Sequence, residues 1–454
     1  MAHFAEQDLT QGKISHQLAI FAWPMVLTNL LQTLFALTDI LLVGRFLGRD
    51  AMSAVTVGGQ STLFLLTFSL GLTAGGQILI AQLKGAEKSK EQAEVARTLF
   101  ILALIVGIAV ALLGFSLAPT ALRLLQTPEE ALEGARQYMR MTTLGLPFAF
   151  AYNAVAGVLR GLGDAKRPLL FAAVAAVLHL CLGLFFVGRL DIGMLGAALA
   201  TVIAQATAGL LGCFYLYTRK EKLKLNLKRK RHSSTPRKLG QILKIGIPFG
   251  LQMCLLNFSN LFIIRLVNPY GAAASAALGA GSRVTNVLIM PMLAIGNAAS
   301  TMVGQNLGAG KPERASATVR WALVYTLAFV ALTFTLTLLF PAAFISLFTD
   351  DSEVLQIGVQ YLSIMTWCYA GYALHSSCNA AILGAGFALY SLFAVAVEAL
   401  VGRMGLTWVF SGFWGLSGIF TAQTIAPYLA AALSMAWYLG GRWRKSALVD
   451  KNTP

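Results

Sequence analysis

From Arg219 to Lys238 the chain reads RKEKLKLNLKRKRHSSTPRK, which holds ten Lys or Arg against one Glu, a local charge of +9. Immediately before it, residues 194–218 read MLGAALATVIAQATAGLLGCFYLYT. Immediately after it, residues 241–267 read QILKIGIPFGLQMCLLNFSNLFIIRLV. Both flanks are apolar and long enough to cross a bilayer, which takes ~20 residues of helix. A basic tract between two such runs reads in two ways. It is either a nucleic-acid-binding arm or a cytoplasmic loop that obeys the positive-inside rule.

The rest of the chain decides for the loop. Of the 454 residues, 57% are hydrophobic and 12% charged, about half the charge of an ordinary soluble domain. This composition excludes a disordered chain, a nucleic-acid arm protein, a disulfide scaffold and a soluble globular enzyme. Apolar runs recur at 14–43, 53–83, 95–118, 131–159, 168–188, 194–218, 240–268, 273–307, 317–341, 353–383, 388–410 and 415–440. No strand alternation accompanies them. The expected fold is an all-α polytopic membrane protein of twelve transmembrane helices.

Charge is sorted between the connections. On the side of the basic tract lie Lys84, Lys88, Lys90, Arg97, Arg160, Lys166, Arg167, Lys311, Arg314, Arg320 and the Arg and Lys of the C-terminal tail. The other connections hold Arg45, Arg49, Arg123 and Arg189, with the acidic Asp350, Asp351 and Glu353. Twelve spans with both termini cytoplasmic satisfy this asymmetry. The five cysteines lie scattered in apolar runs without C-x-x-C spacing, which reads as packing and not as metal or redox chemistry. The polar N-terminus lacks the layout of a cleaved signal peptide.

The sequence also repeats itself. Pro24 and Pro248 are 224 residues apart. QLKGAEK at 82–88 meets QNLGAGK at 305–311, an offset of 223. Gly161 and Gly163 meet Gly384 and Gly386 at the same offset, and Gly196 meets Gly418 at 222. The expected organisation is an N-terminal six-helix lobe over 1–218, a basic linker over 219–239, a C-terminal six-helix lobe over 240–440 and a tail over 441–454. Since six is even, both lobes insert the same way up. A pseudo-twofold axis along the membrane normal would relate them, the parallel-repeat design of some secondary transporters.

Four passages resemble the multidrug and toxic compound extrusion (MATE) transporters. They are Pro24 with Thr38, Asp39, Ile40, Val43 and Gly44; LRGLGDAKRP at 159–168; GAALATVIAQ at 196–205; and Gly281 to Arg283 with VGQNLGAGK at 303–311. The resemblance spans essentially the whole chain. It implies a V-shaped exporter of amphipathic, often cationic, compounds, driven by proton or sodium entry, with monomer as the default state. It also implies that Asp39 is a coupling-ion residue and that Thr201 contributes a hydroxyl beside it.

Asp39 stands out on physical grounds as well. It sits late in LLQTLFALTDILLVG, and a charge at mid-membrane costs ~2.5–3.5 kcal/mol on insertion scales. It therefore faces the protein interior, paired or protonated, unless it caps a helix end near the outer interface beside Arg45. In the fifth span the family's archaeal and DinF-like members carry Asn-x-x-x-Asp, whereas here the stretch is HLCLG, 179–183. His179 replaces the amide and the second acid is missing. His179 then partners Asp39, titrates itself or is a hydrogen-bonded interior histidine. One acid beside a histidine leans toward proton over sodium. The acids of the norfloxacin-type branch are absent from the seventh and tenth spans, which places the chain closer to the DinF-like branch. Glu398 in the eleventh span is the exception, with Arg403 five residues on. The two form a buried pair or serve substrate or ion.

A cavity for large amphipathic compounds needs aromatic, Met and small polar surface. The candidates are Gln60, Gln77, Tyr152, Asn153, Met253, Asn257, Met290, Met292, Tyr369 and Asn379, for each of which packing or lipid contact is the plainer reading. No cofactor, metal or nucleic-acid partner is expected, only small amphipathic substrates and the lipid bilayer of the cell membrane. GAGKP at 308–312 does not satisfy a phosphate loop, and neither H-E-x-x-H nor G-x-S-x-G occurs. The leading function is a proton- or sodium-driven exporter. The alternative is a flippase for a lipid-linked sugar, against which the sparse interior Arg counts.

Overall fold

The computed structural model describes residues 8–125, 127–221, 223 and 235–444. Most of the basic tract and of the C-terminal tail thus lies outside the described residues. Helices make up the regular structure of what is described. In chain order these are α1 (Ile14–Leu47), α2 (Arg49–Gly85), α3 (Ser89–Leu124), α4 (Glu129–Leu144), α5 (Leu146–Gly161) and α6 (Lys166–Gly183), which ends in a π-helical turn, Leu184–Arg189. Next come α7 (Met194–Thr218), α8 (Thr235–Val267), α9 (Ala272–Gly308), α10 (Pro312–Leu339), the short α11 (Pro341–Ser346), α12 (Ser352–Met365) and α13 (Cys368–Gly384). The last are α14 (Ala388–Ala396), a π-helical stretch Val397–Leu406, and α15 (Thr407–Leu439).

Among the described residues, nine of these helical stretches are long and apolar enough to cross a membrane, and the pair α4 and α5, bent by 46°, makes a tenth. The ninth of them, Ala388–Leu439, is 52 residues long. It turns at Gly415, whose backbone is not helical (φ 56°, ψ −134°), and so supplies two spans. The consecutive α12 and α13, the repeat equivalents of α4 and α5, stand where the remaining one is expected. The structure thus agrees with twelve spans, several of them built from two helical pieces.

Large apolar side chains face outward along these helices: Leu41, Leu112, Leu124, Trp408 and Phe413 are all more than half exposed. In water that surface would be untenable, but lipid tails cover it at no cost. Small residues fill the inside. Gly161 of α5 lies so close to α2 that an added Cβ would sit 2.7 Å from the Gln77 carbonyl oxygen. At Gly384 of α13 the same atom would sit 2.6 Å from the Ser300 carbonyl. Backbone approach of this kind is how helices gain packing energy where no hydrophobic effect separates them from lipid.

The backbone repeats as the sequence does. Gly163 (φ 92°) and Gly386 (φ 91°) turn the chain out of α5 and α13 in a left-handed conformation that side chains disfavour. Gly48 and Gly271, Glu87 and Gly310, and Gly193 and Gly415 are further repeat-equivalent pairs with positive φ.

By packing, the described chain divides into two units. One takes Leu27–Ile247, and the other takes Asp8–Val26 with the chain from Pro248 onward. The divisions fall inside α1 and α8, close to Pro24 and Pro248. Proline lacks the N–H for the helix ladder and crowds the carbonyl four residues earlier, so a long helix bends there.

Candidate functional site

Four helices of the first unit converge on Asp39. This carboxylate, on α1, is 5% exposed. His179 of α6 lies with Nε2 2.9 Å from Asp39 Oδ1. The Tyr138 hydroxyl of α4 donates to Asp39 Oδ2 at 2.6 Å. The Thr201 hydroxyl of α7 lies 3.1 Å from the same oxygen, and also 3.3 Å from His179 Nε2 and 3.2 Å from the Ala197 carbonyl. A hydroxyl has one proton to give, so Thr201 chooses among these acceptors. The acid is the hub, and both of its oxygens are engaged.

Local sequence explains how the hub is held. Tyr138 belongs to an apolar cluster with Val43, Val55, Val187, Ala197 and Ala198, which encloses the acid. The Phe35 ring, one turn before Asp39 on α1, stacks on the His179 imidazole at 3.8 Å between centroids and 15° between planes. This stack fixes the ring with Nε2 toward the acid. Its other nitrogen, Nδ1, is buried and has no hydrogen-bond partner. The cluster therefore contains one carboxyl, one imidazole with an unused nitrogen, and two hydroxyls.

The sequence pointed to Asp39, His179 and Thr201, and the structure brings all three within hydrogen-bond distance. It adds Tyr138, which sequence reasoning passed over. RQYMRMT around it reads as an ordinary amphipathic turn, and only the fold shows its hydroxyl aimed at the acid. Its repeat equivalent, Tyr361, packs instead edge to face on Phe420 with centroids 4.9 Å apart.

The ten cavity candidates fall in both units. Gln60 and Asn257 are exposed, and Met253 and Met290 are partly buried. Gln77, Met292 and Tyr369 are buried inside their units. Tyr152 donates to the Pro168 carbonyl at 3.1 Å, and the Asn153 amide donates to Ser69 Oγ at 3.2 Å. Asn379 is buried with its Oδ1 unpartnered. Glu398 and Arg403 share the π-helical stretch Val397–Leu406, but no ion pair joins them among the described residues. Arg403 donates to Ser259 Oγ at 3.2 Å, and Glu398 Oε1 has no partner. A straight α-helix would set five-residue neighbours apart. The π stretch brings them to one face but gives the guanidinium a nearer hydroxyl. Among the described residues, no group of three or more His, Cys, Asp or Glu is placed to hold a metal ion.

The fold and the helix-borne site describe a multi-pass membrane transporter, and comparison places it in a family. The MatE family matches residues 24–185 and 248–409, one match in each half. The chain belongs to this family, the MATE transporters, whose members move substrates across membranes and are not enzymes. It is 31% identical over 446 residues to a probable multidrug resistance protein of Bacillus subtilis, YpnP, covering 97% of this chain and 98% of that one. It is 24% identical over 448 residues to a probable multidrug resistance protein, NorM, of Thermotoga maritima, covering 97% and 95%. A solved MATE structure in its bent conformation superposes with a TM-score of 0.90 at 23% identity, covering 95% of this chain and 96% of that one.

Proposed function

We propose that this protein is a secondary active exporter of amphipathic, cationic organic compounds, driven by proton antiport through the site centred on Asp39, with His179 and Thr201. The relatives named as multidrug resistance proteins support the export of drug-like compounds. The observation that carries the coupling is the Asp39 carboxyl, buried and held on both oxygens by His179, Tyr138 and Thr201.

Charge supplies the coupling. With His179 neutral and Asp39 ionised, the cluster carries −1 inside a low-dielectric lobe. That field favours a cationic substrate in the same lobe. A proton entering the Asp39–His179 pair brings the cluster to zero and removes the attraction. Proton and substrate then oppose each other's binding by the same free energy, as linkage requires. Pro24, one helical stretch before Asp39, gives α1 a point at which to bend as the charge changes. Sodium fits the site less well, because hard cations take oxygen ligands and the place of a side-chain amide here is taken by imidazole nitrogen.

The test is counterflow of a fluorescent cation in proteoliposomes under an imposed pH gradient or an imposed sodium gradient. Export driven by the pH gradient is expected for the native protein, with at least a tenfold loss in Asp39→Asn. Native-level export by that variant would remove Asp39 from the mechanism. Export driven only by sodium would overturn the choice of ion.

A further inference from the structure

We propose that the second packing unit holds its own proton-binding site, the Glu398 carboxyl on the π-helical stretch Val397–Leu406. This goes beyond the Asp39 reading and does not depend on it. Glu398 is 2% exposed, and its Oε1 has no hydrogen-bond partner. A buried carboxylate normally has its lone pairs satisfied, because leaving a charged group unpaired in the interior is costly. An open oxygen on such a group is a place for a proton.

The surroundings resemble the Asp39 cluster in residue type but not in contacts. Tyr372 of α13 lies beside Glu398, and Arg403 supplies a permanent cation from the same helix. Ser259 of α8 accepts from that guanidinium and not from the acid. The roles are exchanged between spans. The acid is on the first span in one half and on the fifth span of the other. The position equivalent to Asp39 in the second half is Phe262, so that half carries no acid on its first span. The charged and titratable groups that face Glu398 are Arg403 on its own helix, and Tyr372 and Cys368 on α13. One carboxyl beside a guanidinium is a poor cation site, which leaves a proton as the ligand. π-helical segments are rare and recur at functional sites. Here the widened turn sets residues five apart on one face, so that Glu398 and Arg403 neighbour each other.

The proton goes onto Glu398 Oε1. The pair Glu398 and Arg403 then changes from neutral to +1. The Asp39 cluster changes from −1 to neutral, so both sites move in the same direction and both disfavour a cationic substrate when loaded.

Infrared difference spectra of the full-length protein in nanodiscs, taken between about pH 5 and 9, test this. The native protein should show the carbonyl stretch of protonated carboxyls growing as pH falls. Glu398→Gln should remove one such component while Asp39→Asn leaves that component in place. Glu398→Asp should restore it at a shifted frequency, which excludes misfolding as the cause. Proton uptake on an acid jump should fall by a single proton in Glu398→Gln. A native spectrum retained in Glu398→Gln, or a Glu398 component that does not change with pH, would overturn the proposal. Failure of the Asp39 reading would show separately, as intact transport in Asp39→Asn.

Discussion

Tyr138 donates the shortest hydrogen bond to Asp39, at 2.6 Å, in a pocket sealed by apolar side chains. That phenol is one of the contacts that hold the Asp39 carboxyl in place. Tyr138→Phe keeps the ring and its packing and removes only the donor. Export driven by an imposed pH gradient in proteoliposomes should therefore fall severalfold, with little change in thermal stability. Native-level export by this variant would mean that Tyr138 is packing and nothing more. The same residue marks the limit of what the sequence discloses. Asp39 was legible because an ionisable group inside an apolar run is expensive, and His179 and Thr201 through comparison with the family pattern. A tyrosine in an amphipathic turn is cheap and common, so nothing in its surroundings distinguished it. Arg403 shows the same limit, because a five-residue spacing from Glu398 did not reveal that Ser259 would take its guanidinium.

Helices meet at points that the sequence marks with glycine. In an ordinary exposed helix, Gly→Ala stabilises by up to ~1 kcal/mol. At Gly161 the sign reverses, because the new methyl would sit 2.7 Å from the Gln77 carbonyl oxygen and 2.9 Å from the Ile80 side chain. The backbone of α2 cannot yield locally, so α5 must move away. Overpacking of this kind costs ~1–3 kcal/mol. Gly161→Ala and Gly384→Ala, which meets the Ser300 carbonyl at 2.6 Å, should each lower the melting temperature of the detergent-solubilised protein. An Ala at Gly250, which has open space around it, serves as the control and should not. Equal melting temperatures for all three would refute the close-approach argument. These contacts were legible as repeat landmarks. What escaped the sequence is where packing divides α1 and α8. Pro24 and Pro248 announce a bend, but a proline carries no information about which helices each side of the bend will touch. The entry to α1 is held within the second unit by Arg314, which donates to the Gln11 and Gly12 carbonyls and to Gln17 Oε1. Its repeat equivalent, Glu91, pairs instead with Lys238 in the first turns of α8. The two halves thus tether the starts of their long first helices with opposite charges, a relation invisible without the fold.

The net charge of +16 is a statement about orientation once the chain is seen as two similar halves. An offset of 223 residues carries Lys90, in the first turn of α3 just after the α2–α3 connection, onto Glu313, in the first turn of α10 just after the α9–α10 connection. Both side chains are exposed. With six spans per half, these two turns must face the same compartment, whatever their own charges. The positive-inside rule predicts that this compartment is the cytoplasm, because Lys84, Lys88, Lys311 and Arg314 cluster there. The acidic turn at Asp350 must face the other side, since it follows Glu313 by one span. In a background with the five cysteines replaced by Ser, single Cys substitutions at Lys90, Glu313 and Asp350 put this to a membrane-impermeant maleimide. Lys90→Cys and Glu313→Cys should label in inside-out vesicles and stay protected in right-side-out ones, and Asp350→Cys should do the reverse. Opposite labelling of Lys90→Cys and Glu313→Cys would break the six-plus-six arrangement, because only an odd number of spans between the Pro24 and Pro248 landmarks could produce it. Labelling of both from outside would keep the two halves and invert them. The charge asymmetry would then have been read with the wrong sign, and the proton gradient would enter the Asp39 cluster from the opposite face.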